Sequence, residues 1–357
     1  MVFSLEVLQA FHGDSLLLHV DKKLCLIDGG PFRTWATSLR PRLEQLRAAR
    51  VPDGGPLRID LAMISHIDGD HIQGLVDMGS ALVELADDRQ PLPYEVGGLW
   101  HNAFDDVLGN RASEVPAAGA PVVASVDQGR TLRDQAIRLK WRRNEPFDGL
   151  VVAPREVPFG AAKLTVVAPD AKALDRLDKE WEEWLARHPE AVQAADYADR
   201  SVFNLSSIVV LAEAAGKRML LCGDARGDHV LTGLETTGRL AVGGTLELDV
   251  LKLPHHGSIR NVDHDFFTRL PARHYVISAD GRDGNPESAA LEAIAASRGD
   301  DDFEIHLTNH TGKGDLTQRL DAFIAARDAA HRGFAVSFRE EAALGLRIDL
   351  ADPPEDP

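Results

Sequence analysis

The segment His66-Ile67-Asp68-Gly69-Asp70-His71 holds two imidazoles and two carboxylates in six residues. These are the donors of zinc and of manganese-type sites. Alternate positions of an extended loop point the same way, so His66, Asp68 and Asp70 can converge, while His71 can turn toward a second ion. Gly69 removes a side chain that would crowd the turn. Asp224 follows the apolar run Leu220-Leu221-Cys222-Gly223 and can bridge two ions. The pair His255-His256 follows Leu251-Lys252-Leu253-Pro254 and precedes Gly257-Ser258. Such a set suits hydrolysis: two ions about 3.5–4 Å apart share a water whose pKa falls toward about 7.

The elements around these residues read as alternating strands and helices. Residues 2–8, 15–20 and 24–27 form three opening strands, the third ending at Asp28-Gly29-Gly30. Leu39, Leu43 and Leu46 give residues 35–50 a helical face. Residues 59–65 read as a buried strand that runs into the His/Asp loop, and Ile72 to Leu85 as the helix after it. Residues 107–128 are rich in Gly, Pro, Ala and Ser and read as a loop, with a helix over 129–143. Asp170 is placed to cap a long amphipathic helix reaching Ala195. Residues 206–211 and 218–222 form a hairpin around Gly216. Strands follow at 248–254, 274–278 and 304–308, with a helix over 287–298. Residues 334–338 and 345–350 are expected to pair as a terminal hairpin. Four strands thus end on Asp28, His66, Asp224 and His255, and strand-to-helix loops are where α/β architectures place chemistry.

The chain has 357 residues, 44% hydrophobic and 27% charged, with a formal net charge of −17. That charge opposes nonspecific capture of nucleic acid. The one dense basic cluster, Arg138, Lys140, Arg142 and Arg143, reads as the solvated end of a helix. No apolar run of about 18 residues suggests a transmembrane helix, and no signal-peptide pattern opens the chain, so a cytoplasmic location is expected. Cys25 and Cys222 sit in apolar runs and read as buried strand residues rather than as a disulfide or thiolate site.

The motifs together resemble the metallo-β-lactamase superfamily, whose signature is written HxHxDH. Asp68 stands where that signature has its second His, the variant found in the hydrolase domain of ComEC-type DNA-uptake proteins. Other matching segments are Phe11-His12-Gly13-Asp14-Ser15 with Leu26-Ile27-Asp28-Gly29-Gly30, and Asn204-Leu205-Ser206-Ser207-Ile208-Val209 with Cys222-Gly223-Asp224. A further one is Leu251-Lys252-Leu253-Pro254-His255-His256-Gly257-Ser258. The branch often has Gly-His-Pro where this chain has Gly284-Asn285-Pro286.

The resemblance implies a four-layer αββα sandwich over residues 1–350 with an enlarged, partly helical insertion at 86–200. A disordered tail is expected at 351–357. It implies one metal site with His66 and Asp68, a second with Asp70, His71 and one of the paired histidines, and Asp224 between them. His256 is favoured as that ligand, because the family's late ligand commonly precedes a small-residue turn, which leaves His255 supporting it. His101 is the candidate for a missing first-site histidine. Asp14, Ser258 and Asn204 are candidates for substrate or supporting contacts, and His12, Asn309 and His310 for the mouth. Asp70 and Asp68 are the expected catalytic carboxylates, with two zinc or manganese ions. The leading activity is phosphodiester hydrolysis of DNA, RNA or a nucleotide. A small ester, thioester or lactone is the alternative substrate. A third reading is an effector inactive until a protein partner engages, for which Trp181 and Trp184 in the insertion are the candidate surface.

Overall fold

A computed structural model describes residues 1–102, 121–175, 206–329 and 333–351. Asn204, Trp181 and Trp184, much of the insertion and the tail from residue 352 lie outside the described residues.

In the first half lie strands β1 (Phe3–Leu8), β2 (Leu16–Val20), β3 (Lys23–Ile27), β4 (Leu57–Ile59), β5 (Leu61–Met63), β6 (Tyr94–Val96), β7 (Gly98–Trp100) and β8 (Arg142–Arg143). Its helices are α1 (Arg40–Arg50), α2 (Gly69–Asp87) and α3 (Pro121–Arg138). The second half has β9 (Arg155–Phe159), β10 (Ala162–Ala168), β11 (Val209–Ala214), β12 (Lys217–Leu221), β13 (Leu248–Lys252), β14 (Ala272–Ile277), β15 (Phe303–Leu307), β16 (Phe334–Phe338) and β17 (Gly345–Ala351). Helices α4 (Gly227–Thr236), α5 (His264–Arg269), α6 (Ser288–Arg298) and α7 (Leu316–Ala329) lie among them.

The strands make two large sheets, ordered β17-β1-β2-β3-β5-β7-β8 and β16-β15-β14-β13-β12-β11-β10-β9. Three apolar layers hold them. Phe3, Leu5, Leu16 and Leu18 of the first sheet meet Leu164, Val210, Leu221 and Val250 of the second. Leu17 and Leu26, on the opposite face, pack on Leu43, Leu75 and Leu132 of α1, α2 and α3. Leu211, Leu220, Tyr275 and Ile305 pack on Val230, Phe266, Leu291 and Leu320 of α4 to α7. The molecule is therefore a four-layer αββα sandwich, the architecture expected. Both faces of its central strands are covered, which is why these read as unbroken apolar runs instead of alternating ones. Each aliphatic side chain buried this way contributes about 1.5–3 kcal/mol.

Three expectations need correction. The strand expected over 59–65 is instead the ends of two, Leu57–Ile59 and Leu61–Met63: Asp60 turns aside, its carboxylate accepting from Lys23 and from the Leu24 amide. β4 then pairs with β6, and β5 with β3 and β7. Residues 121–128 are helical, not loop, since α3 starts at Pro121, a residue preorganised for a first helical position. Residues 334–338 and 345–351 do not form a hairpin. β16 runs parallel to β15, whereas β17 is antiparallel to β1 in the other sheet. Arg339 fixes this crossing, donating to the carbonyls of Thr308, Glu340, Glu341 and Ala343.

Among the described residues no helix is long and apolar enough to cross a membrane. Both cysteines are free and buried, and burial pushes the Cys222 thiol up to about 12.

Candidate metal centre

Helix α2 begins inside the His/Asp loop, at Gly69, so Asp70 and His71 belong to its first turn. That turn is held by backbone contact: Gly29 N donates to His71 O at 2.6 Å and Gly74 N to Gly30 O at 3.0 Å. A Cβ on Gly74 would sit 2.0 Å from Gly29 O, so only glycine permits this approach. The segment Asp28-Gly29-Gly30 thereby sets how far His71 reaches toward the second sheet.

From that sheet come Asp224, just past β12, and His255-His256, just past β13. The two histidines have left-handed backbones, φ 48° and 55°, followed by Gly257 at 86°. A non-glycine residue pays about 1–2 kcal/mol for this conformation. The turn is secured by Asn285, whose Nδ2 donates to His255 O at 3.2 Å, so the Asn of Gly284-Asn285-Pro286 supports the turn from its amide.

Each of the four imidazoles is held at Nδ1 and presents Nε2 inward. His71 Nδ1 meets Asp28 Oδ2 at 2.8 Å, and His256 Nδ1 meets Ser278 O at 2.9 Å. His66 Nδ1 meets Ser65 Oγ at 3.1 Å, and His255 Nδ1 meets Asn261 Oδ1 at 2.8 Å. Asp28 also accepts from Ser65 N and Ser65 Oγ, both at 2.7 Å. A partner that fixes the outer nitrogen of a metal-type histidine is the usual means of aiming the inner one.

The inward atoms surround Asp224. Near its Oδ1 are His71 Nε2 at 3.3 Å and His256 Nε2 at 3.6 Å, and Asp70 Oδ2 lies 3.6 Å from that His256 nitrogen. Near its Oδ2 are His66 Nε2 at 3.7 Å and His255 Nε2 at 3.8 Å, and Asp68 Oδ2 lies 3.6 Å from His66 Nε2. These gaps are too long for hydrogen bonds. Donors about 2.0–2.2 Å from a shared ion in tetrahedral array would sit about 3.3–3.6 Å apart. His66 Nε2, His71 Nε2, His256 Nε2 and Asp224 Oδ1 are buried without any hydrogen-bond partner. Unpaired buried polar atoms are costly, so four of them converging on one place fit a divalent cation.

The charges fit the same reading. Burial by itself would lower His71, but the carboxylates of Asp224 and Asp28 hold it well above the usual histidine value. Burial likewise opposes charge on His256, which Asp224 and Asp14 nevertheless push up to about 10. Burial works to raise Asp224, and His71, His255 and His256 hold it far below the carboxylate range. The fold thus concentrates negative charge where a cation would sit.

Asp14 lies beneath this cluster. Burial would raise its pKa, but the wholly buried Lys252, 2.7 Å away, and His256 bring it to about 2. Its Oδ1 is 3.5 Å from His256 Nδ1. Asp14 N reaches Asp70 O, and Gly13 O accepts from Ser278 Oγ at 2.6 Å, so the 10–14 loop seats both sides of the centre.

Other expected residues stand apart. His101 has both ring nitrogens buried and unpaired, and no donor atom of it joins the cluster. Burial, with Arg143 and Arg133, lowers it to about 3. Ser258 Oγ donates to Glu287 and shapes the turn. His255 comes as near Asp224 as His66 does. Asn309 is bonded to Gln9 and to Ala279 O, and His310 to Asp321. His12 does lie near the centre, where burial lowers it while Asp70 acts to raise it, and it meets Arg282 Nη1 at 2.9 Å. Of the basic cluster, Arg138 pairs with Asp87 and Arg142 with Glu145.

Sequence reading marks Asp28 as a strand end and as part of a matching segment, without a role, and gives Lys252, Ser278, Asn261 and Arg282 no role. Of these only Lys252 carried a signal, a charged residue inside an apolar strand. The others act through contacts that only the fold creates.

No protein-family model matches the chain, and no curated protein matches it. Among solved structures, the metallo-β-lactamase fold protein YhfI from Bacillus subtilis overlays with a TM-score of 0.45 at 11% identity, covering 98% of this chain and 100% of that one. The metallo-β-lactamase MIM-1 from Novosphingobium pentaromativorans gives 0.34 at 13%, covering 91% and 92%. A metallo-β-lactamase with a HARLDQ motif from Cronobacter sakazakii gives 0.31 at 14%, covering 90% and 89%. These overlays are loose, and the sandwich stands on its own sheets and apolar layers.

Proposed function

We propose that the chain is a metal-dependent hydrolase of the metallo-β-lactamase type, acting on phosphodiesters in DNA, RNA or nucleotides. The observation that carries this reading is the set of inward donors around Asp224, four of whose atoms are buried without a partner. They divide over its two oxygens. His66, Asp68 and His255 would hold one ion, and Asp70, His71 and His256 a second, with Asp224 between them. Two zinc or manganese ions there would supply charge neutralisation and a water acidified toward neutrality. Four imidazoles favour zinc, and three carboxylates keep manganese open.

The chain's own part is positioning. The side chains of Asp70 and Asp68 are 17% and 11% exposed, against 0% for His66 and His71. They therefore lie on the open side, where a carboxylate can take a proton from an attacking water. Arg282, which meets His12, the ring on which the Asp70 charge acts, is a cation on this side of the centre. It favours an anionic ester over a neutral one, although the chain as a whole is acidic.

The test is metal analysis of purified protein, with single-stranded DNA, RNA and cyclic dinucleotides assayed on the same sample. Asp224→Asn is expected to lose metal and activity together. Arg282→Glu is expected to keep metal and raise KM for the anionic substrate. Metal-loaded protein that leaves all three substrates intact sinks the phosphodiesterase reading, and protein that takes up no ion sinks the metal centre.

A further inference from the structure

A second set of donors lies away from Asp224, within the second sheet. β14 and β15 run parallel, and His274 is directly opposite Glu304 while Val276 is opposite His306. Glu304 and His306 are two apart on one strand and so share a face, with His274 beside them on the neighbouring strand. The opposite face carries Tyr275, Ile305 and Leu307 into the helix-covered core. His274 lies four residues before Ser278, about 13 Å along the strand at about 3.3 Å per residue, so its side chain is remote from the turn that aims His256.

The three side chains converge. His274 Nδ1 is 3.0 Å from His306 Nε2, and Glu304 Oε2 is 3.5 Å from each of those nitrogens. Three donors about 2.0–2.1 Å from one tetrahedral ion would be about 3.3–3.4 Å apart. The two Glu304 edges lie close to this, and the His274–His306 edge, a hydrogen bond at 3.0 Å, would open by a few tenths of an ångström to admit an ion. The carboxylate is itself oriented, since Ser337 Oγ of β16 donates to Glu304 Oε1, leaving Oε2 for the histidines. A carboxylate steered by a second hydrogen bond is what a ligating glutamate commonly shows. On the outer side His274 and Glu304 line a cavity of about 970 Å³, shared with Lys217, Asp249 and Arg273. Water or a small anion can reach a fourth position from there.

We propose that His274, Glu304 and His306 form a separate mononuclear site for a transition-metal ion, zinc in the first instance, with its open position toward this cavity. Two imidazoles and one carboxylate leave one position free in a four-coordinate ion. The site uses none of the residues around Asp224, so it stands or falls independently of the hydrolase reading.

The test uses the full chain, stripped with a chelator and titrated with Zn²⁺ and, separately, with Co²⁺. Elemental analysis gives stoichiometry, and the Co²⁺ absorption spectrum gives coordination number. His306→Ala and His274→Ala are each expected to bind about one equivalent less than the parent chain, and Glu304→Gln to bind that equivalent at least about tenfold more weakly. His71→Ala, which alters only the Asp224 cluster, is expected to keep the four-coordinate Co²⁺ signal of this site. Its survival there separates failure of one site from failure of the other. Unchanged stoichiometry in well-folded His306→Ala and His274→Ala overturns the proposal. Should those variants fail to fold, anomalous scattering at the zinc edge from parent crystals decides: a peak among the three side chains supports it, and no peak overturns it.

Discussion

Asp28 Oδ2 lies 2.8 Å from His71 Nδ1, and this contact turns His71 Nε2 toward Asp224. Asp28 itself has a left-handed backbone, φ 58°, which asparagine tolerates as well as aspartate does. Asp28→Asn is therefore expected to fold, yet to lose the negative partner that fixes the ring. Metal affinity should fall about 10–100-fold, read by competition with a chromophoric chelator. Affinity within about twofold of the parent would remove Asp28 from the centre.

Lys252 and Asp14 form an ion pair with essentially no solvent contact. Lys252→Met leaves the carboxylate buried beside His256 without its cation. Removing one member of a buried pair costs about 3–5 kcal/mol. Urea unfolding should show that loss, and pairing it with Asp14→Leu should recover part of it.

The close approach of α2 to Gly29 makes Gly74 another sensitive point. Gly74→Ala puts a methyl 2.0 Å from a backbone oxygen that has nowhere to move cheaply. Overpacking of this kind costs about 1–3 kcal/mol. Because α2 carries Asp70 and His71 in its first turn, the same change is expected to weaken metal binding.

Burial lowers His101 to about 3, with Arg143 and Arg133 contributing, so this ring makes stability depend on pH. An unfolded histidine titrates near about 6.5. Between those values the unfolded chain binds a proton that the folded chain refuses. The contribution is therefore whole above about pH 6.5 and is lost as pH falls, at about 1.4 kcal/mol per unit. Unfolding free energies at pH 7 and pH 5 should differ by about 2 kcal/mol less in His101→Gln than in the parent. Equal differences would mean that His101 is not the group responsible.

Much of this site is legible in the sequence because its donors sit at strand ends, and strand ends are marked by an apolar run meeting a polar residue. That rule finds Asp28, His66, Asp224 and His255 without any knowledge of pairing. It does not tell which nitrogen of a histidine faces inward, since that depends on Ser278 and Asn261, each reached through the fold. Nor does it separate His255 from His256, whose aim comes from consecutive left-handed residues that no periodicity reveals. The terminal strands show a different blind spot. Both read as strands, but the choice between one hairpin and two sheets is made by Arg339 binding four carbonyls. The His274, Glu304 and His306 cluster is not legible in the sequence because His274 is about 30 residues from the other two and meets them only through parallel pairing.

The donors around Asp224 come in halves, His66 to His71 from the end of the first sheet and Asp224 with His255-His256 from the end of the second. An ion held among them would act as a rivet through the sandwich. Breathing of one sheet against the other would then require the rivet to be drawn, so amide exchange in β3 and β13 should slow together when metal is added. The loops that close the centre would also become the seam at which a stripped chain first opens to a protease.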